Sequence, residues 1–76
     1  MEPREIFDLI VKADERLKYA TDEKGALRRR QARELLEQAR DEARAIENDP
    51  LVRQAEQRLA DIEALPSSRA ESGDAS

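Results

Sequence analysis

Arg28-Arg29-Arg30, Arg33, Arg40 and Arg44 are the residues in this chain with the most evident chemical use. At about 100° per residue on a helix, Arg29, Arg33, Arg40 and Arg44 fall on one stripe. A guanidinium can donate two parallel hydrogen bonds to a carboxylate or a phosphate. A row of them at helical spacing therefore suits a partner's acidic side chains or nucleic-acid phosphates. The competing expectation is internal: the stems cover the apolar seam and the heads pair with Asp8, Asp14, Glu15, Glu56 or Asp61 on neighbouring helices. The chain carries 18 acidic against 14 basic side chains, a net charge of −4. The acids cancel the long-range positive field that nucleic acid requires, so an acidic protein partner ranks ahead of nucleic acid.

Catalysis has little to work with. There is no Cys and no His, which removes thiolate nucleophiles, imidazole acid–base chemistry, disulfides and the usual zinc sites. Thr21 and Tyr19 are the only hydroxyls before Pro66, and neither has an imidazole to activate it. The expectation is a non-enzyme with no cofactor and no metal.

The second candidate site is apolar. Ile6, Phe7, Leu9, Ile10 and Val11 occupy more of a helix circumference than one packed face can bury, so some of them cover a second neighbour or form an intermolecular patch. Leu27 lies about 180° from Leu36 on a regular helix, which leaves it to a bend, a loop or another chain. Phe7, Ile10, Val11 and Leu27, with Arg29, Arg33, Arg40 and Arg44, form the candidate partner-binding set.

The elements that must position these residues follow from periodicity and punctuation. Pro3 suits the first position of a helix, where its missing N–H costs nothing. Ile6, Ile10, Ala13, Leu17 and Ala20 then recur at spacings of four and three, giving a helix to about Thr21. Thr21 or Asp22 can cap a second helix, while Gly25 could instead close the first in a left-handed conformation. The second helix runs to about Glu47 with Ala32, Leu36, Ala39, Ala43 and Ile46 on its seam and Leu35 beside them. Asn48-Asp49-Pro50 predicts a third helix with Asp49 as its cap and Pro50 as its first residue. Its buried face is Leu51, Val52, Ala55, Leu59, Ile62 and Leu65, ahead of the breaking Pro66. This helix offers only Arg53 and Arg58 against four acids between Asp49 and Glu63, a poor DNA-reading element. Residues 66–76 lack periodicity and are expected to be a disordered tail.

Short connections force antiparallel neighbours, so the predicted fold is an all-α, up-down-up three-helix bundle over residues 1–65. Within it, Ala20, Ala32, Leu36 and Ala39 are spaced by twelve, four and three. This resembles the small–small–large–small pattern of a tetratricopeptide repeat, over about Leu17 to Ala39, and the hairpin of the microtubule-interacting-and-transport domain is similar. The resemblance implies a helical hairpin that binds peptides or helices along a groove.

Of 76 residues, twelve apolar ones are Ala and only seventeen are larger. A core this small is marginal alone, which adds self-association to the expectations. No apolar run approaches the ~20 residues of a membrane span, and Met1-Glu2-Pro3-Arg4-Glu5 lacks the order of a secretory signal. The expectation is thus a cytoplasmic interaction module that forms a homodimer and binds a protein helix or peptide carrying acidic and apolar groups. The alternative is a small regulator touching nucleic acid through Arg28 to Arg33.

Overall fold

Pro3 opens the first helix, α1 (Pro3–Lys18), where the fixed φ of proline is already helical. The side chain of Glu5 reaches back to accept a hydrogen bond from the Glu2 backbone N–H at 3.0 Å, which satisfies a donor at the helix start. The computed structural model describes residues 1–20 and 23–64. Two further helices follow among these residues, α2 (Gly25–Ala45) and α3 (Asp49–Glu63). The expected tail from Pro66 to Ser76, together with Leu65, Thr21 and Asp22, lies outside the described residues.

The three helices run up, down and up as expected. The terminal amine of Met1 lies 3.5 Å from Glu42 near the end of α2. At the opposite end of the hairpin, Arg16 Nη1 donates to Gln31 Oε1 at 3.1 Å. The middle helix is α2, against which α1 and α3 each pack extensively while meeting one another only sparingly. The buried core takes Ile6, Ile10 and Ala13 from α1, Ala32, Leu36, Ala39 and Ala43 from α2, and Leu51, Ala55 and Ile62 from α3. Half of these are alanines. Small residues at facing positions let the helix axes approach closely, so the core is thin and tightly packed. Leu9, Leu17, Leu35, Val52 and Leu59 flank it, partly buried.

Helix ends differ from the expectation for local reasons. The first helix stops at Lys18 rather than Thr21, because the N–H groups of Tyr19 and Ala20 turn to the tighter i−3 carbonyls of Arg16 and Leu17. Gly25 does not close α1 in a left-handed conformation: it is the first residue of α2, with no positive φ, and it is buried. A Cβ at this position would lie 3.1 Å from the Ala20 carbonyl oxygen, so glycine permits the incoming chain to pass close to the helix start. The residue before it, Lys24, supplies no side-chain cap.

The α2–α3 corner is also shifted. Glu47 takes a left-handed φ of 57°. Its N–H bonds to the Arg44 carbonyl at 3.0 Å, and the Asn48 N–H reaches the Ala43 carbonyl at 2.8 Å. These are the two bonds of a Schellman ending, which finishes α2 at Ala45. Asn48, rather than Asp49, then caps α3, its side chain accepting from the Leu51 N–H at 3.3 Å. Asp49 becomes the first helical residue and Pro50 the second. Ile46, expected on the seam, sits at the C-cap of α2 and is 38% exposed. Among the described residues, no helix is long and apolar enough to cross a membrane.

Candidate interaction surface

The inward face of α1 is used up by Ile6, Ile10 and Ala13, each with no exposure. Ile10 therefore belongs to the core, and its expected place in a partner-binding patch is corrected. Phe7 and Val11 stand about 100° and 140° around the helix from Ile6. They remain 48% and 36% exposed. The wide apolar half of α1 thus divides into a buried stripe and an outer strip one turn long.

The position of this strip in the bundle is set by Arg58. Its Nε donates to both carboxylate oxygens of Asp14, at 3.0 and 3.1 Å, joining α3 to α1 across 44 residues of sequence. Asp14 lies close to the helical column of Phe7 and Val11, so the strip follows the edge of α1 nearer α3, where the two helices meet least. Asp14 was among the expected acidic partners, but for arginines of α2. Its pairing with Arg58 depends on the relative height of α1 and α3, for which the local sequence carries no signal.

Leu27, in the first turn of α2, is 45% exposed. It is displaced along the bundle from Phe7 and Val11, because α2 begins at the end of the bundle where α1 finishes.

The arginine stripe divides along its length. Arg44 Nη2 lies 2.7 Å from Glu56 Oε2 on α3, one of the internal pairs anticipated for the stripe. Arg40 Nε contacts Asp41 on its own helix at 3.2 Å. Arg29 is half-buried, its Nη1 3.2 Å from where a Cβ on Gly25 would stand, while Arg33 is exposed. Neither of these two forms an ion pair among the described residues. The C-terminal half of the stripe is therefore tied up within the bundle and the N-terminal half is available.

That available half belongs to a charge asymmetry along the molecule. Between Lys12 and Arg33 there are eight basic and four acidic side chains, a net of +4, so the remainder of the chain carries −8. At this basic end an open cleft of 350 Å³ is lined by Lys12, Glu15, Arg16, Tyr19 and Arg28. The buried Nε of Arg28 has no hydrogen-bond partner among the described residues. Lys18 lies over the Tyr19 ring, its Nζ 5.9 Å from the centroid, a cation–π contact at the end of α1. This cleft is not legible from helical periodicity, because its lining comes from two helices and depends on their relative height.

No protein-family model, curated protein or solved structure matches the chain.

Proposed function

We propose that the chain is a small helical protein-interaction module without catalytic activity, which self-associates and binds a partner helix or peptide bearing acidic and apolar groups. The observation that carries this reading is the outer strip of α1, with Phe7 48% and Val11 36% exposed one turn apart on a helix whose inward face is already filled. Isolated exposed apolar residues are ordinary on protein surfaces, but an aromatic and an aliphatic side chain in line on one edge make an incipient contact surface. The thin core gives a reason to cover them. Among the described residues only Ile6, Ile10 and Leu36 are large and fully buried, and each such side chain contributes roughly 1.5–3 kcal/mol before conformational entropy is subtracted. A second copy of the chain would add apolar burial that the single chain lacks. Arg29 and Arg33, lacking ion-pair partners among the described residues, supply a place for a partner's carboxylates. The tetratricopeptide-like spacing over Leu17 to Ala39 enters this reading as support for peptide or helix binding, and the heavily charged composition as support for a cytoplasmic setting.

Sedimentation velocity over roughly a hundredfold dilution tests self-association, with the melting temperature expected to fall as the dimer dissociates. Phe7→Asp should abolish the dimer, since it places a charge in a surface that must lose water, while circular dichroism shows the helices retained. A monomeric mass at every concentration with a concentration-independent melt would overturn self-association. Affinity for generic RNA or DNA that falls about 10³-fold between 50 and 200 mM salt would instead favour a nucleic-acid regulator acting through Arg28 to Arg33.

A further inference from the structure

We infer that the cleft at the basic end is a binding site for hydrogen phosphate, an oxyanion that still carries a proton of its own. This goes beyond the interaction module proposed above and does not depend on it. Lys12, Glu15, Arg16 and Tyr19 stand at i, i+3, i+4 and i+7 on α1, about 180° to 280° around the helix from Ile6, so they form one face away from the Phe7 strip. Arg28 completes the lining from α2. None of the four charged groups forms an ion pair among the described residues, and the hydrogen bond that Arg16 donates goes to the neutral Gln31. The lining thus sets three cations against one carboxylate. The next charges along the two helices and the turn between them, Asp8, Glu23 and Glu34 against Lys24 and Arg29, sum to one negative and leave the positive excess in place.

Two features of the lining point to this ligand. The first is the Nε of Arg28, buried with no acceptor among the described residues. A charged donor so placed is stabilised by any acceptor that reaches it. The Nε–H and the neighbouring Nη–H form the edge of a guanidinium that takes two oxygens of one oxyanion. Lys12, Glu15 and Arg16 are exposed side chains, free to adjust and admit an oxygen to that edge. The second feature is Glu15. A carboxylate among cations repels a fully deprotonated anion, but it accepts a hydrogen bond from an anion that keeps an O–H. Hydrogen phosphate keeps one in neutral water. Sulfate has none, and a phosphate monoester has lost most of its own above a second pKa of about 6. The two arginines and the lysine therefore attract any tetrahedral oxyanion, and Glu15 selects the protonated one.

A nuclear magnetic resonance titration of the full chain tests the site at a pH of about 7.5, where the ester is mostly a dianion. Sodium phosphate, sodium sulfate or glycerol phosphate is added at constant ionic strength while the arginine Nε–H signals and the backbone amides are followed. Phosphate should shift the Arg28 Nε–H signal saturably. Sulfate and the ester should bind at least about fivefold more weakly, because each sets Glu15 against an anion with no proton to offer. Arg28→Gln should weaken phosphate about tenfold, read from the amides of Lys12 to Tyr19. Arg28→Lys keeps the charge but loses the two-donor edge and should weaken phosphate as well, which serves if circular dichroism shows that the glutamine variant has lost helix. Glu15→Gln should bring the three anions to within about twofold of one another. The site is overturned if phosphate gives no saturable shift, if sulfate or the ester binds the wild type as tightly as phosphate, or if the preference for phosphate survives Glu15→Gln.

Discussion

Glu47 holds a left-handed backbone conformation, φ 57°, that an L-residue with a Cβ adopts at a cost of about 1–2 kcal/mol. Glycine adopts it without that steric cost, but loses more backbone freedom on folding, worth roughly 0.5–1 kcal/mol. The difference predicts that Glu47→Gly stabilises the chain by about 0.5–1 kcal/mol. The side chain of Glu47 is exposed and makes no ion pair among the described residues, so its removal forfeits no contact. The two Schellman bonds, Glu47 N–H to Arg44 and Asn48 N–H to Ala43, use backbone atoms and survive the change. For a domain of this size one kcal/mol corresponds to about 4–8 °C, so the melting temperature should rise by roughly 2–8 °C. The assay is thermal unfolding followed by circular dichroism at one fixed protein concentration, which keeps any association constant across variants. Glu47→Ala is the control: it removes the carboxylate but keeps the Cβ, and should leave the melt nearly where it was. A glycine variant that melts at or below wild type would refute the reasoning. So would an alanine variant with the same gain, which would trace the effect to charge rather than to backbone conformation.

At the same corner, Asn48→Ala should cost about 0.5–2 kcal/mol through loss of the cap on the Leu51 N–H. Asp49→Ala should cost less, since Asp49 contributes only its favourable position in the helix dipole, about 0.3–1 kcal/mol. Denaturant melts of the two variants decide the order, and the reverse ranking would move the cap to Asp49. Asp14→Asn should cost about 0.2–1 kcal/mol at low salt, because its pairing with Arg58 is partly exposed at 46% and 31% of the two side chains. That difference should shrink towards zero near 1 M salt, and a cost unchanged by salt would show that the contact between α1 and α3 is not ionic in origin.

The three helices, their seams and their antiparallel order were legible from residue spacing, because a 3.6-residue period ties sequence separation directly to direction around a helix. Ile6, Ile10, Ala13, Ala32, Leu36, Ala39, Ala43, Leu51, Ala55 and Ile62 could all be placed on buried faces in this way. Pro3 likewise marked the start of α1 by its own covalent geometry. Angular position alone left open which part of the wide stripe on α1 faces inward. That depends on the directions from which α2 and α3 approach, and their approach buries Ile10 while leaving Phe7 and Val11 at the edge. The cap of α3 was ambiguous between two adjacent residues with suitable side chains, and the backbone path out of α2, through the left-handed Glu47, selects Asn48. The arginines show the same division. Their common stripe is a property of the helix period, whereas the pairing of Arg44 with Glu56, and the availability of Arg29 and Arg33, depend on where the neighbouring helix ends up. Arg58 and Asp14 meet only because packing on α2 brings residues 44 apart within reach of each other's side chains, a long-range relation that no local period encodes.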